Sequence, residues 1–330
     1  MIPTRARLAD LAAAAGVSTA TVSRVLNGKP GVADATRASV LATLETLGYG
    51  TEPEPAEGAG LIAVMVPELA NPSFASFANE LALVLTAAGR HMILCTAGPG
   101  GTSEEQYLDA LLGVEIAGII SVSGTPADTE ASPEHYQRLI DAGVPAVFIN
   151  GYNPSVDGAF FSCSDAEAVS MSVAHLRSYG HERIGLAVGQ MRYLPSRRKH
   201  AAFLGLGFDE RSVVSTLFTV EGGQAAAARL LDAGHTALVC GSDVMALGAI
   251  REARSRGLDV PCDVSVVGYD DSALMAFTNP ALTTVRQPVA VMTQAAVGSL
   301  LTAIRGLPTD PTEMLFHPDL IIRHSTGPCA

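Results

Sequence analysis

Ala15-Gly16-Val17-Ser18-Thr19-Ala20-Thr21-Val22-Ser23-Arg24-Val25-Leu26-Asn27-Gly28 is the stretch on which the reading of this chain turns. Ahead of it Leu8, Leu11 and Ala12 recur at helical spacing; then Gly16 breaks the helix, and Ser18 stands where an N-cap belongs. Val22, Val25 and Leu26 form an apolar stripe, which leaves Thr19, Ala20, Ser23, Arg24 and Asn27 to face outward. Asn27-Gly28-Lys29-Pro30-Gly31 ends the second helix, because glycine accepts a left-handed cap and proline cannot continue the helix. A third helix is expected over 34–47, closed by Val40, Leu41, Leu44 and Leu47. The spacing predicts helix, tight turn, helix, with a short second helix whose outer face is polar. The DNA major groove admits one such helix and meets its N-terminal side chains. The alternative is a small bundle that only contacts protein.

The remaining 280 residues set the background for that unit. Hydrophobic residues make up 48% of the chain and charged ones 16%, a balance that suits buried parallel strands and excludes general disorder. No apolar run is long enough to span a bilayer, and no long apolar segment follows Met1-Ile2-Pro3-Thr4-Arg5-Ala6-Arg7, so a cytoplasmic protein is expected. Cys95, Cys163, Cys240, Cys262 and Cys329 are scattered without a C-x-x-C pair and read as reduced thiols; no metal and no cofactor is expected. The net charge of −12 argues against nucleic acid until its placement is considered. Residues 1–50 carry Arg5, Arg7, Arg24, Lys29 and Arg37 against Asp10, Asp34 and Glu45, a net of +2, which leaves −14 for the rest. The basic end suits DNA, and the acidic body discourages indiscriminate binding.

The chain divides into a headpiece over 1–49, a linker over 50–60 and a body over 61–330. The linker, Gly-Thr-Glu-Pro-Glu-Pro-Ala-Glu-Gly-Ala-Gly, has the composition of an extended, solvated segment. In the body, strands expected over 61–66, 91–95, 117–122 and 146–149 alternate with helices over 74–87, 104–112 and 133–142. A second series begins after Asp157, with strands over 184–188, 237–240 and 264–267 and helices over 166–179, 222–231 and 244–256. Such alternation predicts parallel sheets covered on both faces, in two lobes, with a ligand held at the carboxyl ends of the strands. The expected lobes are 61–157 with 289–315, and 158–288 with 316–325.

The quoted stretch, with Val32, Thr36-Arg37 and Leu47-Gly48-Tyr49, resembles the headpiece of the LacI/GalR family of bacterial repressors. The resemblance continues through Pro67-Glu68-Leu69-Ala70-Asn71-Pro72, Gly180-His181-Glu182-Arg183-Ile184-Gly185, Gly241-Ser242-Asp243-Val244-Met245-Ala246-Leu247-Gly248 and Asp263-Val264-Ser265-Val266-Val267-Gly268-Tyr269-Asp270-Asp271. It implies an all-α helix-turn-helix headpiece on a periplasmic-binding-protein-like α/β core of two Rossmann-like lobes. It further implies operator DNA, a small sugar effector and a second copy of the chain as partners. Details such as Val122-Ser123-Gly124 and Arg198-Lys199 look like the branch that represses maltose and maltodextrin genes.

By that resemblance Thr19, Ala20 and Arg24 lie where the family reads bases, and Ser18, Thr21, Ser23, Asn27 and Thr36 where it holds phosphates. The fork of Arg24 suits bidentate contact with guanine; otherwise it is a solvated helix arginine. The family's sugar positions fall on Asn71, Phe74, Asn150, Lys199, Phe218, Asp243 and Asp270. These supply the amides, carboxylates, cation and aromatic faces that a sugar ring needs. For Asp270 the alternative is a cap on the loop after its strand, and for Phe218 a place in the core. The linker departs from the family: Glu52, Glu54 and Glu57 repel phosphate, and Pro53 and Pro55 oppose the hinge helix that inserts an apolar wedge. The stretch over 203–218 is also shorter than usual. Three rival readings remain: an exported sugar-binding protein, which needs no headpiece; an α/β enzyme, for which no P-loop, nucleophile-elbow or zinc-protease motif occurs; and a family member that has lost operator binding.

Overall fold

Residues 12, 15–26, 32–33, 36–37, 39–40, 43, 60–98 and 100–329 are described in the computed structural model of the chain. They fall into two units, divided between Gly58 and Ala59. In the smaller unit, Thr19–Leu26 forms helix α1. Gly16 turns the chain into it with φ +64°, a conformation that costs glycine nothing. The Ser18 hydroxyl accepts from Thr21 N at 3.1 Å, satisfying a donor that the first helical turn leaves unpaired. Val22 and Val25 bury their side chains against Ala12 and Val40, with Ala15, Val17 and Val32 packed alongside. The turn and cap are those expected, as are Val22 and Val25 of the stripe; the side chain of Leu26, its third member, lies outside the described residues. Residues 36–37, 39–40 and 43 are helical; Leu41, Leu44 and Leu47 of the expected third helix lie outside the described residues, as do Leu8, Leu11, the terminating stretch 27–31 and linker residues 50–59.

The larger unit carries two six-stranded sheets. The first contains β1 (Leu61–Val66), β2 (Met92–Thr96), β3 (Ile116–Val122), β4 (Ala146–Ile149), β5 (Ala159–Cys163) and, from the far end of the chain, β11 (Glu313–Phe316). All its pairings are parallel, in the order β11-β5-β4-β3-β1-β2. Helices α2 (Pro72–Ala87), α3 (Glu104–Leu111) and α4 (Glu134–Asp141) connect these strands. The second sheet contains β6 (Ile184–Val188), β7 (Val213–Ser215), β8 (Ala237–Cys240), β9 (Ser265–Asp270), β10 (Thr283–Arg286) and β12 (Asp319–Ile321), in the order β12-β10-β9-β8-β6-β7. Its helices are α5 (Asp165–Ser178), α6 (Leu194–Gly205), α7 (Val220–Asp232) and α8 (Asp243–Ser255). Only β12, among the described strands, runs antiparallel, against β10.

The continuous apolar run of β1 follows from burial on both faces. Ile62, Val64 and Val66 pack with Phe77, Leu81 and Leu85 of α2 and with Met292, Val297 and Leu300 of α9 (Val289–Ile304). Ala63 and Met65 point the other way, to Leu108, Leu111 and Tyr136. Two further clusters sandwich the second sheet in the same fashion.

The lobe boundary differs from the expected one. Ala159–Cys163 pairs with β4 and β11, so the first lobe runs on through Cys163 and not to 157. All five residues of β5 are buried, so the strand completes the first sheet's core before the chain crosses into α5. The chain crosses twice more, between β10 and α9 and between β11 and β12. Each lobe thus takes elements from both sides of the other in sequence. His181 holds the turn after α5: its ring contacts Thr236 Oγ1, Ser265 Oγ and the Gly327 carbonyl, and burial lowers its pKa.

Candidate functional site: a helix face and an interlobe cleft

In the small unit, Thr19, Ala20 and Arg24 are exposed on α1, while the opposite face holds Val22 and Val25. Ser18 is exposed and Thr21 half-buried, their hydroxyls 2.9 Å apart; Thr36 is half-buried on the neighbouring helical stretch. Ser23 lies within α1, and its side chain and Asn27 are outside the described residues. An exposed arginine between small side chains can approach a groove floor without steric obstruction.

In the large unit a cavity of about 480 Å³ opens between the lobes. It lies where the sheet order reverses, at the carboxyl ends of the strands, the place that this topology leaves open to ligands. β1 leads to Pro67 and Glu68, β3 to Ser123 and Gly124, β4 to Asn150, β8 to Gly241 and Ser242, and β9 to Asp270, all of which line it. Of the seven residues expected here, Asn71, Phe74, Asn150, Lys199, Phe218 and Asp270 line this cavity together. Asp243 does not. It is fully buried one residue beyond Ser242, accepts from Thr284 Oγ1 at 2.5 Å and Ser272 N at 2.7 Å, and fastens β9, β10 and the start of α8 to one another. Its assignment to the ligand is therefore corrected: Ser242, which caps α8, holds the cleft position.

The cleft residues are held by each other. Asn71 caps α2 by accepting from Ser73 N at 3.0 Å. Asp270 accepts from Ser73 Oγ across the lobes at 3.0 Å and from Gln287 Nε2 at 2.8 Å. Gln287 in turn accepts from Asn150 Nδ2 at 2.8 Å, and Asn150 accepts from Cys163 N at 3.1 Å. This chain of hydrogen bonds runs beside two of the three crossovers. Burial pushes the Asp270 carboxyl above the usual carboxylate range, and the nearby Asp243 adds to the effect. The Lys199 ammonium, 5% exposed, pairs with buried Asp165 and lies 3.9 Å from the centre of the Tyr269 ring. Burial raises the Asp165 carboxyl, and Lys199 draws it back down. Beside them Arg198 grips Glu313 of β11 with two hydrogen bonds of 2.7 and 2.6 Å, again from lobe to lobe.

Phe218 is not plain core. It is half-buried, lines the cleft and covers Gly189, where an added Cβ would fall 1.9 Å from the ring. Its neighbour is Tyr193, centroid to centroid 6.3 Å. With Phe74 on the other lobe, the cleft has aromatic faces on both sides and polar groups between them. Sequence reasoning missed Asp165, Tyr193, Gln287 and Ser162. Asp165 reads as an ordinary first-turn helix acid behind the Ser164 cap. Gln287 does carry a signal, since it directly follows β10 and precedes a proline at a crossover. Ser162 is buried in the cleft wall with no hydrogen-bond partner for its hydroxyl among the described residues.

No helix among the described residues is long and apolar enough to cross a membrane. The description "Bacterial regulatory proteins, lacI family" matches residues 7–52, and "Periplasmic binding protein-like domain" matches 173–326. The HTH-type transcriptional regulator MalR of Streptomyces coelicolor is 51% identical over 332 residues, 97% of this chain and 96% of that one. The regulator reg1 of Streptomyces lividans is also 51% identical, over 97% of this chain and 96% of its own length. Among solved structures, a complex of the transcriptional regulator CelR with cellobiose has a TM-score of 0.72 at 29% identity, covering 97% of this chain and all of that one. The lac repressor dimer bound to operator and the anti-inducer ONPF has a TM-score of 0.73 at 26% identity, covering 98% of this chain and all of the other.

Proposed function

The chain belongs to the LacI family of bacterial regulatory proteins, and from that premise we propose that it is a cytoplasmic repressor of carbohydrate-utilisation genes, without enzymatic activity, whose operator affinity is set by a small sugar held between its lobes. One observation carries the reading: a helix-turn-helix with an exposed Arg24 shares a chain with a cleft lined by aromatic rings, amides, a carboxyl and an ammonium. Phe74, Tyr193 and Phe218 offer faces to the C–H side of a sugar ring, while Asn71, Lys199 and Asp270 address hydroxyls. Relatives solved with cellobiose, with ribose and with ONPG support the sugar class. On the headpiece, Thr19, Ala20 and Arg24 would face bases, and Ser18, Thr21, Ser23, Asn27 and Thr36 phosphates.

One headpiece makes few contacts, so useful affinity calls for two, joined through the body as a two-fold dimer. Leu274 and Phe277, in the turn after β9, are 67% and 84% exposed and offer apolar surface for such a contact. Ligand and operator then act on one equilibrium between dimer geometries. Their coupling is about 1–3 kcal/mol and reciprocal. The test is a pair of titrations: genomic fragments retained by the protein with and without a panel of malto- and cello-oligosaccharides, and calorimetry of the active sugar with and without operator. Operator affinity that changes 5- to 150-fold, matched by the same change in sugar affinity, supports the reading. Equal sugar binding with and without operator refutes the mechanism.

A further inference from the structure

Along one edge the lobes touch directly. Asp128 and Tyr193 form an antiparallel backbone bridge between the first lobe and the start of α6. Thr129 N donates to the Arg192 carbonyl at 2.8 Å, and Thr129 Oγ1 donates to the same carbonyl at 2.8 Å while accepting from Arg197 Nη1 at 3.2 Å. The Arg192 guanidinium closes on the Asp128 carboxylate, whose residue is buried although the arginine is largely exposed. An exposed ion pair alone is weak; here it sits on three further hydrogen bonds and a buried acceptor.

The first-lobe half of the clasp is braced from behind. Glu104 accepts from Thr125 N at 3.0 Å and from Tyr136 OH at 2.6 Å, and Tyr136 is wholly buried with Ser121 2.7 Å from its hydroxyl. Ala127 on one lobe, and Tyr193 and Leu194 on the other, flank the bridge and line the cleft. The wall there is therefore continuous from lobe to lobe. Leu217 also lines the cleft, yet is 53% exposed, which marks an edge open to solvent.

We propose that this clasp is the end wall of the cleft and makes the protein a reader of chain termini: a linear oligosaccharide seats one end against Ala127 and Tyr193 and leaves its other end toward Leu217. The inference rests on the sugar reading above. A cleft open at both edges accepts the middle of a chain, whereas one shut at an edge tolerates bulk at one terminus alone.

The experiment is calorimetry with maltotriose and cellotriose, each unmodified, extended at the reducing end by 2-aminobenzamide, or blocked at the non-reducing end by a 4,6-O-benzylidene group. The full-length protein is compared with an Asp128→Ala/Arg192→Ala double variant and with Thr129→Val, which removes less and tests the clasp should the double variant fold poorly. For the wild type, one blocked end should be tolerated within threefold and the other should weaken binding at least tenfold. In the clasp variants that discrimination should fall to threefold or less, with the unmodified sugar little changed. Equal tolerance of both ends by the wild type, or the same discrimination in variants and wild type, overturns the end wall and leaves the sugar reading standing. Binding of neither trisaccharide overturns the sugar reading and this inference with it.

Discussion

Lys199→Met tests how the cleft floor is held. Methionine keeps the stem's packing and removes the charge, leaving the Asp165 carboxyl 5% exposed and without its cation. Removing one member of a buried pair typically costs about 3–5 kcal/mol. The carboxyl can escape by taking a proton, and that escape bounds the cost. Relative to an unfolded pKa of about 3.9, protonation at pH 7 costs roughly 1.36 kcal/mol for each of about three pH units, near 4 kcal/mol, and at pH 5 only about 1.5 kcal/mol. The variant should therefore lose about 3–4 kcal/mol at pH 7 and regain more than 1 kcal/mol for each unit down to pH 5. Asp165→Asn in the same chain should recover most of the loss. Urea denaturation followed by far-ultraviolet circular dichroism reads this directly, since the chain has no tryptophan. A loss below about 1 kcal/mol at pH 7, or one that does not change with pH, refutes a desolvated Lys199–Asp165 pair.

Arg24→Ala should weaken specific operator binding by about 1–3 kcal/mol and relax one base preference; small, equal shifts on matched and mutated operators would contradict base reading. Because burial raises the Asp270 carboxyl, the folded state holds a proton that the unfolded state releases near pH 4. Wild-type stability should accordingly fall as pH rises from about 4 through the raised pKa, and a wild-type minus Asp270→Asn difference in urea midpoint that is flat with pH would exclude this. Leu274→Asp with Phe277→Asp should shift sedimentation toward monomer at concentrations where the wild type is dimeric. Changing Glu52, Glu54 and Glu57 to glutamine should tighten binding equally on operator and random DNA, since charge near phosphates carries no sequence information. A strong DNA bend by fluorescence transfer would instead reveal a hinge helix in 50–60.

Periodicity exposed the elements that bury themselves on it. β1, β4, β6 and β8 stand at the expected residues because each is an apolar run bounded by turn or cap residues. Five of the described strands were missed: β7, β10, β11 and β12 are three or four residues long, sit at or near sheet edges and lack such a run, while β5, Ala-Phe-Phe-Ser-Cys, is buried throughout but follows directly on Asp157-Gly158, where the chain was expected to leave the first lobe. α6, Leu-Pro-Ser-Arg-Arg-Lys-His-Ala-Ala-Phe-Leu-Gly, hides its helical character because its buried positions include two polar residues, Ser196 and Lys199, the latter paired with Asp165 of α5. The cleft was legible where the family motif fixes a position after a strand, as at Asn150 and Asp270. It was misread by one residue at Asp243, where cap and buried carboxylate are neighbours and only their environment separates them. Asp165 acts through Lys199, 34 residues away, and Gln287 through Asn150, 137 residues away, and no local pattern encodes such pairings.

The three crossings of the chain also govern how it can be made. α9 covers the first sheet only after β10 has been laid into the second, and β12 completes the second only after β11 has completed the first. During synthesis neither lobe can close until α9, β11 and β12 have emerged, so the usual order of N-terminal domain first is denied to the body. Until Met292, Val297 and Leu300 arrive, the first sheet offers the ribosome-bound chain an open apolar face. A message truncated after residue 288 should yield two unfinished lobes and not one finished one, and the nascent protein should linger on chaperones until residues 289–321 are released.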